Sequence, residues 1–123
     1  MPFYHLKEHA KSYKYATDGI FHTLRTQSNI YVQLPVGVIV LVAAWYFQVE
    51  IWEWVVLILT ISAVLVAELF NTAVEAMMNV IQGHYDLNVK VAKDVAAGGV
   101  LVMALASVVV GLLIFGPRIL QAI

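Results

Sequence analysis

Glu68, Asn71, Thr72, Glu75, Asn79 and Gln82 fall in one stretch, AELFNTAVEAMMNVIQ, of a chain that is otherwise strongly apolar. Laid out at about 100° per residue, they share an arc roughly 100° wide, with Phe70, Ala73, Val74, Met77 and Ile81 on the opposite side. A helix here carries a continuous polar edge that starts at membrane depth and runs out into water. An ionisable group at membrane depth is costly, so it faces protein or a water-filled cavity and has a task there. A merely solvated amphipathic extension explains Glu75, Asn79 and Gln82, but it explains Glu68 and Asn71 poorly. Seven residues at 1.5 Å each place Glu68 and Glu75 roughly 10 Å apart along the axis, too far to share one metal or one proton. That spacing suits two tasks: a base at the lipid level and a metal ligand at the water level. Between them a transferable group could pass from a soluble donor to a membrane-bound acceptor. Lys93 and Asp94 open the last apolar run at the same depth, where a lysine can hold phosphate as a point charge.

The elements that must position these groups are long apolar helices. Of 123 residues, 62% are hydrophobic and 12% charged, against roughly 25% charged in ordinary soluble domains. This describes one integral membrane domain, 1–123. The net charge of −1 comes with no basic block for nucleic acid, and the absence of cysteine excludes disulfide, thiol and iron–sulfur chemistry. The N-terminal segment has no apolar h-region, so the insertion signals are expected in the spans themselves.

Ile30 to Val49 and Val95 to Phe115 are uncharged, and Ile51 to Ala67 holds only Glu53. A spanning helix needs roughly 20 mostly apolar residues. The expectation is an all-α membrane protein with transmembrane helices over 29–49, 51–70 and 95–116, Pro35 lying in the opening turns of the first. Leu6, Ala10, Tyr13, Ile20 and Leu24 recur at mostly helical spacing with Lys7, Lys11 and Lys14 between them, which describes an amphipathic surface helix over 1–28. Lys7, Lys11, Lys14, Arg25, Lys90 and Lys93 put the N-terminus and the second loop on the cytoplasmic side, while Glu50 and Glu53 put the first loop outside. Arg118 is the exception. Trp45, Tyr46, Trp52 and Trp54 flank the outer loop as an aromatic belt. Gly98, Gly99, Ala104, Ser107 and Gly111 give the third span a small-sided face for close packing.

Other chemistries fit less well. His5 to His9, HLKEH, matches an H-x-x-E-H zinc pattern without an evident third ligand, and His22 and His84 stand alone. Neither phosphate-loop pattern occurs, nor does a G-x-S-x-G elbow. A transporter would need more spans or an internal repeat. An oligomeric channel or scaffold stays open from these residues alone.

The segment AELFNTAVEAMMN, followed by VAKDVAAGGVLV, resembles the prokaryotic diacylglycerol kinase and undecaprenol kinase family of small trimeric membrane lipid kinases. YATDGIFHTLRTQSN is similar to the family's surface helix, and LIFGPRI to the end of its undecaprenol kinase branch. The resemblance implies a homotrimer in the bacterial inner (cytoplasmic) membrane, its N-terminus cytoplasmic, with active sites shared between neighbouring subunits. It implies ATP- and Mg2+-dependent phosphorylation of a lipid hydroxyl, undecaprenol or diacylglycerol. In that frame Glu68 takes the hydroxyl's proton, Asn71 positions the hydroxyl, and Glu75 ligates magnesium on the ATP phosphates. Lys93 and Asp94 contact the nucleotide, as does Tyr15, with His84, Tyr85 and Asp86 near the adenine. Asn29, Gln33 and Ala97 line the lipid site.

The chain also departs from the family pattern at several positions. Gln27 stands where the family has a second metal-ligating glutamate; its amide oxygen can ligate without charge, so metal affinity should be lower. Tyr31 and Glu8 stand at basic positions, and Asn79 at an aspartate. A weakly active or non-catalytic lipid-binding trimer of the same fold is the alternative reading.

Overall fold

The computed structural model describes residues 2–81 and 86–123, almost all of them helical. Helix α1 runs Pro2–Thr26, α2 Ile30–Tyr46, α3 Ile51–Ile81 and α4 Leu87–Ala122. The all-helical architecture is the one read from the sequence. Gln82, His84 and Tyr85 lie outside the described residues.

Helix α1 opens on a proline, which is tolerated in the first helical turn because the missing N–H would have no intrahelical partner there. Between α1 and α2 the chain turns through 105°. The corner is held by backbone bonds from Gln27 N to Thr23 O at 3.0 Å and from Ile30 N to Gln27 O at 3.2 Å. Beyond the corner, α2 has 17 residues, about 26 Å of helix, slightly less than the roughly 30 Å of bilayer hydrocarbon. It ends three residues before the expected 49. The N–H groups of Gln48 and Val49 bond back to Trp45 O and Ala44 O, each at 3.2 Å, a pattern that closes a helix when one residue is left-handed. Gln48, at φ 51, is that residue.

The 31 residues of α3 make about 46 Å of helix, well beyond the hydrocarbon thickness. Its second half therefore leaves the apolar layer and carries Glu75 and Asn79 outward. Helix α4 starts at Asp86, whose carboxylate accepts from Asn88 N at 2.7 Å and Val89 N at 3.4 Å, satisfying N–H groups that have no partner within the helix. Both α3 and α4 are long and apolar enough to cross a membrane; counting the bent α1–α2 pair as one more span gives up to 3.

Helix α4 packs mainly along α3. At the end where α2 meets α3, Ala44, Val49, Leu57, Ile114 and Phe115 form a buried apolar cluster. Beside it Arg118 donates from Nη2 to Glu53 Oε1 at 2.6 Å and from Nη1 to Glu53 Oε2 at 2.7 Å. Glu53 Oε1 also accepts from Glu50 N at 3.1 Å, the return contact of an N-terminal capping box. Arg118, the exception to the charge pattern, is thus matched by a carboxylate at its own end of the molecule.

Candidate functional site

The polar edge of α3 faces the α1–α2 corner, and side-chain amides from the corner meet it along its length. Burial is graded down the helix. Glu68 is 0% exposed and Asn71 5%; Thr72 and Glu75 are half-buried, and Asn79 is exposed. The helix therefore passes its polar groups from a dry environment to a wet one, turn by turn.

Three amides from the corner reach α3. Asn29 donates from Nδ2 to Glu68 Oε1 at 3.0 Å, and Gln33 from Nε2 to the same oxygen at 2.9 Å. Being four residues apart, they lie on one face of the chain as it enters α2. Gln27 donates from Nε2 to Thr72 Oγ1 at 2.9 Å and to Glu75 Oε2 at 3.2 Å. Within α3, Thr72 Oγ1 donates to Glu68 O at 2.8 Å and Asn71 Nδ2 to Glu75 Oε1 at 3.2 Å. One connected network thus joins the Glu68 backbone carbonyl, through Thr72 and Gln27, to the Glu75 carboxylate. Two buried acceptors on this edge, Glu68 Oε2 and Asn71 Oδ1, have no partner among the described residues. An unpaired buried acceptor is destabilising by about 1–3 kcal/mol, and such groups mark places where a ligand's donor or a cation belongs.

The remaining expected site residues are dispersed in the single chain. Lys93 Nζ donates to Asn79 Oδ1 at 2.9 Å, which draws α4 against α3 one turn beyond Glu75. Asp94 pairs with Lys90 on the exposed face of α4, and Asp86 caps that helix. Tyr15 is 66% exposed on α1, and Ala97 is exposed on α4. His84 and Tyr85 lie outside the described residues. Of the departures, Tyr31 is 78% exposed, and Glu8 pairs with Lys11 at 3.4 Å within α1.

Sequence reasoning gave Thr72 a place on the edge but no partner from the α1–α2 corner. It missed Thr23, 1% exposed where α1 meets the corner, and the pairing of Glu53 with Arg118. That pair had a usable signal: opposite charges at the outer ends of two helices that must run side by side.

Magnesium takes oxygen ligands, usually one or two carboxylates together with the phosphates it travels with. Among the described residues no cluster of three or more His, Cys, Asp or Glu side chains forms. Glu75 is the carboxylate at the corner, and Gln27 and Asn71 both turn their NH2 groups toward it. One carboxylate, with amides that must rotate to present oxygen, fits a magnesium already carried by phosphates, not one held by protein alone.

The chain matches the prokaryotic diacylglycerol kinase family over residues 14–115. It is 37% identical over 109 residues to the undecaprenol kinase of Bacillus subtilis, an alignment covering 89% of each chain. It is 38% identical over 111 residues to a diacylglycerol kinase of Synechocystis, covering 89% of this chain and 63% of that one.

Proposed function

The chain belongs to the prokaryotic diacylglycerol kinase family and is a lipid kinase, and we propose that it passes the γ-phosphoryl group of ATP to the hydroxyl of a membrane polyprenol, with diacylglycerol as the second candidate acceptor. The observation that supports this reading is the polar edge of α3, which sets buried Glu68, with a carboxylate oxygen that has no partner among the described residues, on the same side as half-buried Glu75. A hydroxyl at lipid depth and a phosphate at the water surface both have a place along it.

Phosphoryl transfer asks the protein mainly for positioning and charge neutralisation. Glu68 takes the proton as the lipid oxygen bonds to the γ-phosphorus. The bond from that phosphorus to the bridging oxygen breaks, and its electron pair leaves with ADP. Asn71, three residues beyond Glu68 and bonded through Nδ2 to Glu75, helps position the hydroxyl. Lys93 supplies a positive charge one turn further out. Glu75, with Gln27 and Asn71 beside it, would hold the magnesium that travels with ATP, and magnesium when bound neutralises phosphate charge.

The polyprenol preference is supported by the tail LIFGPRI; the two relatives each match 89% of this chain, at 37% and 38% identity, and favour neither acceptor. Tyr15 and Ala97, both exposed in one chain, fit a homotrimer in which each site draws on a neighbour. Lys7, Lys11 and Lys14 on α1 and Lys90 and Lys93 at the start of α4 favour a cytoplasmic N-terminus in the inner membrane.

The test is transfer of label from γ-radiolabelled ATP to undecaprenol or diacylglycerol, offered separately to purified protein, with Glu68→Gln as the control. Label on undecaprenol supports the reading. Label on diacylglycerol alone reverses the order of substrates, and label on neither overturns the proposal in favour of a lipid-binding protein.

A further inference from the structure

We infer that Asn29 and Gln33 are positioning residues for Glu68, a pair of amides that pins Oε1 of the carboxylate and leaves Oε2 as the oxygen that receives the lipid hydroxyl's proton. The assignment rests on Glu68 acting as the base in the reaction proposed above. It differs from the role the family resemblance gives these amides, which is to line the lipid site.

Three observations carry it. The first is that both amide donors converge on one oxygen, at 3.0 and 2.9 Å, while the other oxygen of the same buried carboxylate has no partner among the described residues. An NH2 group must be what faces a carboxylate oxygen, since an amide oxygen there would be repelled. With two N–H donors on Oε1, a proton arriving there would displace one of them. Oε2 has an open lone pair and no competitor.

The second is what Asn29 gives up. It occupies the N-cap of α2, where asparagine normally accepts a hydrogen bond from the first turn, yet its side chain makes no capping bond. A cap of this kind stabilises a helix by about 1 kcal/mol. The side chain instead turns to Glu68. The third is that Gln33, four residues on, repeats the contact from the first turn of the same helix, so α2 and the corner hold Glu68 as a rigid unit.

During transfer the lipid O–H bond breaks and its proton passes to Oε2. The lipid oxygen forms its bond to the γ-phosphorus, and the bridging oxygen keeps the electron pair as ADP departs. The amides take no part in bond changes; they fix the direction from which Oε2 meets the hydroxyl.

The test uses near-isosteric substitutions without a donor, Asn29→Leu and Gln33→Met, in the full-length protein. Loss of one hydrogen bond to the base should lower kcat about tenfold in each, leaving KM for lipid and for ATP unchanged. Gln33→His returns an N–H donor and should recover most of the rate. A rise in lipid KM with kcat unchanged would show that these side chains line the lipid site and would overturn the assignment. A readout independent of turnover is the infrared carboxylate stretch of Glu68, isolated as the difference between wild type and Glu68→Gln. It should shift in Gln33→Met; an unmoved band overturns the assignment. If the wild type phosphorylates no lipid, the kinase reading falls, and the infrared band still decides whether the amides hold Glu68.

Discussion

Gln27 and Glu75 face each other across the α1–α2 corner, Nε2 of one lying 3.2 Å from Oε2 of the other. A neutral donor thus meets the half-buried carboxylate where the family resemblance places a second carboxylate. The amide satisfies Glu75 without any cation, but it adds no negative charge to attract one.

The consequence is a trade between metal affinity and metal-free stability. Gln27→Glu should lower the magnesium concentration needed for half-maximal rate. Without divalent cation, two facing carboxylates repel, so the variant should melt below wild type and regain the difference on adding magnesium. Melting in detergent with and without magnesium checks this; an unchanged metal requirement removes the explanation.

The ion pair at the opposite end makes a separate prediction. Glu53 is 4% exposed, so removing its partner strands a buried charge. Arg118→Met should lower the stability, and the double variant Arg118→Met with Glu53→Gln should lose less than the two single changes combined. Chemical unfolding in micelles measures both. Strict additivity would mean the pair is not coupled.

Gln48 holds a left-handed conformation at φ 51, which disfavours any residue with a Cβ by roughly 1–2 kcal/mol. Gln48→Gly removes that strain but frees the unfolded chain, so a net gain of about 1 kcal/mol is expected in the same unfolding measurement. A loss would show that the side chain contributes a contact of its own.

Lys93 lies one turn beyond Glu75, held by Asn79 at 2.9 Å. If it meets phosphate, Lys93→Met should raise KM for ATP about tenfold, the scale of one charge-assisted hydrogen bond, with lipid KM unchanged. Steady-state kinetics in each substrate separately test this.

Much of this arrangement was legible in the sequence because it depends on period and polarity. The all-α class followed from the long apolar runs, and the polar edge of α3 from the 3.6-residue repeat of Glu68, Asn71, Thr72 and Glu75. What could not be read was what that edge faces. The 105° turn occurs at Gln27–Ser28–Asn29, where neither glycine nor proline announces it, and its angle is set by how α1 and α2 dock on α3. Only that docking brings Gln27 opposite Glu75, and Asn29 and Gln33 opposite Glu68. Helix α2 stops three residues short of 49, ahead of a left-handed residue that is glutamine, not the glycine that usually signals such an ending. The Glu53–Arg118 pair joins residues far apart in the chain and has no periodic signature.

The most direct test of the shared edge separates its two ends. Binding of a fluorescent ATP analogue with magnesium, measured on Glu68→Gln and Glu75→Gln beside wild type, asks whether one acid serves the lipid and the other the nucleotide. Glu68→Gln should bind nucleotide as wild type does while its phosphoryl transfer falls by about two to four orders of magnitude; Glu75→Gln should lose magnesium-dependent binding. Equal loss of nucleotide affinity in both variants, or undiminished transfer by Glu68→Gln, would contradict the division of labour along α3.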